Sequence, residues 1–370
     1  MQFSEGTKMK DITCSNDIAK LFVIQGHNTM KKLFLVVTIA VAFLISCVTA
    51  NAATTYVLAT SSGSWNTTTM WTPAGPPDGI DNTIQTANPT GGRTITLDGS
   101  HTIGNITCYV NNNRSYTFTV GTDPTSVLTL QTSTGTPAVF VGSGSTTSNY
   151  LLINAPLAGT QGFTKTGPGL FILGVANTIT GAINITGTGT GVNSGGWLVD
   201  NGSLPVNDPV QVNSYGSLAG TGTILDAVTL NSGGKIDPGP AFYNSYTAGV
   251  LTANSLTWNG GGSMTYELAT PGATSDSFTL AGSLVKGTAG TYNFTFTTNT
   301  GFSNTQTYTL MTFASNSGFI ASDFGGAPAG MQFDLSTGTS LLLVPIPEPA
   351  TWAMMLGGLG IFAAFRRRWR

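Results

Sequence analysis

One short pattern returns along the middle of the chain and limits what it can fold into. It reads apolar, Asn, Ser, any, Gly, any, apolar, in Val192-Asn193-Ser194-Gly195-Gly196-Trp197-Leu198, Val212-Asn213-Ser214-Tyr215-Gly216-Ser217-Leu218 and Leu230-Asn231-Ser232-Gly233-Gly234-Lys235-Ile236. The copies start 20 and 18 residues apart. A weaker copy, Trp258-Asn259-Gly260-Gly261-Gly262-Ser263-Met264, follows 28 residues later, with room for an insertion around Pro238 to Thr247. Asn and Gly tolerate left-handed backbone, so each copy marks a sharp turn between two short strands. A turn repeated at this period suits one coil of a parallel β-helix, in which like residues stack on like. Apolar rows then pile up inside, and Asn and Thr rows form ladders at corners and outer faces.

The flanks carry the period-two mark of half-buried strands: Arg93-Thr94-Ile95-Thr96-Leu97, Tyr116-Thr117-Phe118-Thr119-Val120 and Tyr292-Asn293-Phe294-Thr295-Phe296. Trp65, Trp71 and the Pro-rich turn Pro73 to Pro77 suit an N-terminal cap, which a solenoid needs over its unpaired edge. Beyond Trp258 the repeat fades into longer alternating strands that suit a C-terminal cap or a small sandwich. Charged residues are only 8% of the chain, but hydrophobic residues are 40%, too many for a disordered chain. Between Ala53 and Pro347 twelve Asp/Glu face five Lys/Arg, a balance of minus seven that offers no footprint for nucleic acid. The expected fold is all-β: a right-handed parallel β-helix with β caps at both ends, an N-terminal signal helix and a C-terminal hydrophobic helix.

The two ends read as addresses. Met30-Lys31-Lys32, the apolar run Leu33 to Val48 and Ala50-Asn51-Ala52 form a secretory signal, with cleavage expected between Ala52 and Ala53 by signal peptidase. Residues 1–29 do not fit that design, and translation is expected to start at Met30. Leu44-Ile45-Ser46-Cys47 resembles a lipobox, an alternative in which Cys47 is lipidated. Cleavage after Ala52 leaves Cys108 as the one cysteine, so no disulfide framework is expected. At the other end, Val344-Pro345-Ile346-Pro347-Glu348-Pro349 precedes the apolar run Ala350 to Phe365 and a tail with Arg366, Arg367, Arg368 and Arg370. As a helix the run is about 24 Å long. Trp352 and the Arg stems extend its span at the interfaces, and the Arg cluster should stop transfer on the cytoplasmic side. The prolines keep the helix from continuing into the body.

Pro347-Glu348-Pro349, the apolar run and the Arg tail, in that order, closely resemble the PEP-CTERM sorting domain of Gram-negative-type bacteria. The resemblance implies processing by an exosortase-type membrane protease and delivery to the cell surface or an exopolysaccharide matrix. A second resemblance lies in Gly162-Phe163-Thr164-Lys165-Thr166-Gly167-Pro168-Gly169-Leu170-Phe171-Ile172-Leu173 and Ala176-Asn177-Thr178-Ile179-Thr180-Gly181. These residues resemble the autotransporter-associated β-strand repeat of secreted β-helical passenger domains. With Val210 to Gly239 the likeness reaches about 80 residues. The C-terminus lacks the amphipathic strands of an outer-membrane pore, so the chain resembles a passenger with a different exit.

Candidate chemistry is sparse. His101 and Cys108 are the one histidine and one cysteine of the mature body; a pair of this kind makes a nucleophile only if the fold joins them. Asp200, Asp208, Asp226 and Asp237 lie in the repeats, and a glycosidase needs two carboxyls about 5–9.5 Å apart. Several of them adjoin turns, as in Asp200-Asn201-Gly202, Asn207-Asp208-Pro209 and Asp237-Pro238-Gly239, where Asp is ordinary. Asp78-Gly79-Ile80-Asp81-Asn82 could hold a calcium ion, but it lacks the full ligand spacing of an EF-hand loop. Gly187-Thr188-Gly189-Thr190 and Gly220-Thr221-Gly222-Thr223 lack the Lys of a phosphate loop. No catalytic, cofactor or metal site is therefore expected.

The organisation that follows is a start-site extension at 1–29, a signal at 30–52, an N-terminal β region at 53–160, β-helix repeats at 161–257, a C-terminal β region at 258–344 and a sorting and anchoring segment at 345–370. The function expected is a non-catalytic structural or adhesive protein of the surface or exopolysaccharide matrix, with matrix glycans as partners and the membrane as a station reached through the C-terminal helix. The alternatives are a secreted β-helical polysaccharide-degrading enzyme and a lipid-anchored envelope protein.

Overall fold

Strands form where polar and apolar residues alternate. Arg93–Leu97, Ser115–Val120 and Tyr292–Thr298 are strands that turn Ile95, Leu97, Tyr116, Phe118, Tyr292 and Phe294 inward. The computed structural model describes residues 53–59, 61–110, 114–143, 149–187, 196–239, 249–272 and 275–347. All belong to one of two units, Ala53–Arg370. Among the described residues the fold is all-β, and no helix is long and apolar enough to cross a membrane. The expected signal helix and C-terminal hydrophobic helix lie outside the described residues.

The chain visits three faces in rotation. Thr83–Thr86, Asn105–Val110, Ala138–Ser143 and Phe163–Thr166 pair in parallel on the first face. Arg93–Leu97, Ser115–Val120, Tyr150–Asn154 and Leu170–Leu173 do so on the second. His101–Ile103, Leu128–Leu130 and Leu157–Ala158 do so on the third. Further along, the first and third faces merge. Ser203–Leu204 and Val210–Val212 both pair with one strand, Thr223–Leu230, which pairs with Val250–Trp258. The second face continues alone through Gly196–Asp200, Gly216–Gly220, Lys235–Pro238, Ser263–Leu268 and Tyr292–Thr298 to Phe324–Gly325. Parallel pairing is thus not confined to residues 161–257. The antiparallel strand pairs among the described residues stand at the two ends. Trp71–Thr72 pairs with Thr55–Leu58, and Ser340–Pro345 pairs with both Tyr308–Thr312 and Met331–Asp334.

Register turns this pairing into columns. On the second face Tyr116, Leu151, Phe171, Leu198, Leu218, Ile236, Met264 and Phe294 lie one above the next, all inward. Neighbouring strands lie about 4.8 Å apart, so each inward side chain touches the one above and the one below. The first end is filled by Trp65, whose ring meets Trp71 at 5.1 Å, His101 at 5.0 Å and Phe118 at 5.8 Å. Towards the last rungs Trp258 packs against Tyr292, Phe294, Phe319 and Phe324.

The Asn of the repeated pattern forms a ladder. Asn231 Nδ2 donates to Asn213 Oδ1 at 2.9 Å, and Asn259 Nδ2 donates to Asn231 Oδ1 at 2.8 Å. The Thr288 amide closes the row by donating to Asn259 Oδ1 at 2.8 Å. Asn193 of the first copy lies outside the described residues. Asn231 both gives and receives, so Asn231→Ala breaks two bonds. Chemical denaturation should show a loss of about 1–3 kcal/mol, and an unchanged midpoint would remove the ladder from the list of stabilising features.

Candidate functional site

His101 and Cys108 are held on different faces, with a corner at Gly104 between their strands. His101 is a buried strand residue. Its Nδ1 lies 2.9 Å from Asp78 Oδ2, and its ring stacks on Trp65. Cys108 is fully buried on the first face, and burial pushes its thiol up to about 12, so it carries no thiolate at neutral pH. The two do not form a nucleophile pair.

The four aspartates divide. Asp200 stands in the inward column Phe118, Ile153, Leu173, Asp200, Gly220 and has no exposure. Its Oδ1 accepts the Gly202 amide at 3.1 Å, while its Oδ2 meets no donor. Burial pushes its carboxyl up to about 7. Asp208 and Asp226 are electrostatic neighbours at a different corner. Asp237 lies on the outer side of the second face, 3.0 Å from Lys235 Nζ, and neighbours Glu267 and Asp276.

The last trio has the raised carboxyl that acid catalysis uses, since burial pushes Asp276 up to about 7. Its geometry is that of a clamp. Asp276 is 1% exposed, and its two oxygens accept the Gly249 amide at 2.9 Å and the Glu267 amide at 2.7 Å. Those bonds fasten the loop before Ser277 to the second face and leave the carboxyl no open path to a substrate oxygen.

The most unusual feature is a double column on the outer side of the second face. One row runs Tyr150, Leu170, Trp197, Ser217, Lys235; the next runs Leu152, Ile172, Val199, Ala219, Asp237. Outward positions of a lone sheet face are normally polar. Here Leu170, Ile172, Val199 and Ala219 form a second apolar cluster, separate from the core and 0–3% exposed. The strip ends in charge. Lys235 reaches back over Ser217 and sets its Nζ 4.3 Å from the centre of the Trp197 ring, with Asp237 as counter-ion. Trp197, Lys235 and Asp237 are the partly exposed rim. Sequence reasoning missed this strip. Its one signal was the unbroken apolar run Leu170-Phe171-Ile172-Leu173, where a strand should alternate.

Lys165 is the other surprise. It occupies an inward column between Val139 and Ile185 and is fully buried. Its Nζ donates to the carbonyls of Thr166 at 2.7 Å and Gly167 at 2.9 Å. Burial lowers it to about 7.

Of the terminal residues expected to matter, Ala53 is exposed at the start of the described body and Pro347 is exposed at its end. Cys47, Ala52, Glu348, Pro349, Arg366, Arg367, Arg368 and Arg370 lie outside the described residues.

Residues 345–368 match the PEP-CTERM protein-sorting motif. Over 205 residues the chain is 34% identical to the adhesin BmaC autotransporter of Brucella suis biovar 1 (strain 1330). That match covers 52% of this chain, which spans 5% of the adhesin's length. With that motif at residues 345–368 and a parallel-stranded body similar to an autotransporter adhesin, the chain is an exported surface protein bearing the PEP-CTERM sorting motif.

Proposed function

We propose that this protein is a non-catalytic adhesive or structural component of the bacterial surface or its exopolysaccharide matrix. The observation that carries the reading is the likeness of its stacked body to an autotransporter adhesin, joined to a sorting motif. The carboxylates add support: Asp200 and Asp276 are buried, and Asp237 is paired with Lys235. The body coils as a right-handed parallel β-helix, because a crossover between parallel strands of one sheet takes that hand in about 98% of cases. The antiparallel strands at either end act as its caps.

Signal peptidase cleaves between Ala52 and Ala53, after the small-x-small triplet Ala50-Asn51-Ala52. Pro347, Glu348 and Pro349 are read by an exosortase-type protease. The apolar run 350–365 is the segment that enters the inner membrane, with Arg366, Arg367, Arg368 and Arg370 as the stop. The rim of Trp197, Lys235 and Asp237 is the contact for matrix glycans: an aromatic plate, a cation and a carboxylate suit hydroxyl-rich rings.

The test is retention of the full chain on exopolysaccharide from the producing cells. Trp197→Ala should weaken retention about tenfold, the loss of one ring contact worth about 1.4 kcal/mol. Equal retention of Trp197→Ala and wild type removes the rim from the adhesive reading. Absence of retention for either removes glycan adhesion itself.

A further inference from the structure

The corner that carries Asp208 and Asp226 is built unlike its neighbours. Ser203–Leu204 and Val210–Val212 lie on Thr223–Leu230, with Leu204 opposite Ile224 and Val210 opposite Val228. Five residues, Pro205 to Pro209, therefore arch over three. On its other side Thr223–Leu230 bulges: Ile224 pairs with Ala253 and Ala227 with Ser255, so Leu225 and Asp226 face the single residue Asn254. A bulge of this kind re-aims a side chain out of the ladder. Exposed Val206 and Leu225 place this corner at the surface.

Asp208 sits under the arch with no exposure, and neither of its carboxylate oxygens meets a donor. The backbone before it is left-handed, with Asn207 at φ 70°. The nearby Gly181 amide is committed to the Asn207 carbonyl at 2.8 Å. Asp226 is partly exposed, and its Oδ1 accepts the amide of Ala227. Asp226 is one of the three residues that the arch of Asp208 spans. A buried carboxylate with both oxygens unmet, beside a second carboxylate open to solvent, lacks a positive partner. Among the described residues no cation forms an ion pair with either group.

We propose that this bulged corner binds a divalent cation of the calcium class, held by both oxygens of Asp208 and by Asp226. Calcium prefers hard oxygen ligands and accepts an irregular shell completed by water and backbone carbonyls. The partly exposed Asp226 gives it a way in. The ion would fasten the arch to the rung beneath and stiffen the junction where the first and third faces merge.

The experiment uses the full chain, solubilised in detergent and stripped with EDTA. At neutral pH, added calcium chloride should raise the melting temperature by several degrees, as any ligand confined to the native state does. Titration calorimetry should show one saturable site, weakened about tenfold or more in Asp226→Asn and lost in Asp208→Asn. Equal calcium responses in wild type and Asp226→Asn overturn the proposal, and so does no response in wild type. Because Asp226 is partly exposed and outside the core, Asp226→Asn carries the test even if Asp208→Asn fails to fold.

Discussion

Acidifying the calcium-free protein from neutrality to about pH 4 should raise its melting temperature, contrary to the usual acid weakening of folded proteins. The cause is three buried carboxyls. Asp200, Asp208 and Asp276 are each pushed from an unfolded value of 3.8 up to about 7, mainly by burial. Their protonated forms suit the folded state, so the stability they contribute is fully present below about pH 4 and is lost as pH rises to about 7. A shift of this size is worth at most about 4 kcal/mol per group. Lys165 acts in a different window. Lowered from 10.5 to about 7, it favours the fold above its unfolded value, and that stability is lost as pH falls to about 7. Below that point it changes nothing further. The two effects together place a stability minimum near neutrality. Asp200→Asn keeps an acceptor for the Gly202 amide and removes a buried charge, so it should raise the neutral melting temperature and flatten the acid limb. A melting temperature that falls steadily below neutrality in both proteins would sink this account.

The second large effect is expected at Gly220. Its backbone is left-handed, with φ +119°, and a Cβ there would stand 1.9 Å from the Asp200 carbonyl oxygen of the adjacent rung. Gly220→Ala must therefore push two rungs apart. Gly75 is the control, with φ +122° and nothing within 4 Å of its Cβ position. Gly75→Ala should cost about 1–2 kcal/mol through backbone strain alone. Gly220→Ala should cost at least about 3 kcal/mol or abolish folding, since main-chain atoms have no rotamer to yield. Equal losses in the two variants, measured by chemical denaturation, would mean that the rungs are not packed as closely as described.

The turns of the stack were legible in the sequence because they recur as chemistry. Asn213, Asn231 and Asn259 had to lie above one another for one ladder to join them, and their spacing announced it. The alternating strands at Arg93, Tyr116 and Tyr292 were equally plain. The N-terminal rungs were not recognisable as repeats because their lengths vary. Ile84, Ile106 and Val139 are neighbours in one column, yet 22 and then 33 residues separate them. Corners absorb insertions without disturbing a column, so a fixed period disappears although the register survives. Charged residues misled in the opposite way. Asp200 beside Asn201-Gly202 read as a turn residue, and Lys165 read only as part of a motif. Both point inward, because position in the strand decides direction and the sequence shows only identity. The outer strip was hidden for the same reason: Val199 and Ala219 look like core residues until the register puts them on the other side.

The strand Ser340–Pro345 has a mechanical consequence. It is the last strand before the sorting segment, and it is bonded on one side to Tyr308–Thr312 and on the other to Met331–Asp334. Tension entering through Pro347 along the strand loads both ladders in shear, so many bonds must yield together. A tether attached to an unsupported edge strand would peel, one bond after another. A body held by its C-terminus and pulled by flow would be better served by the first arrangement.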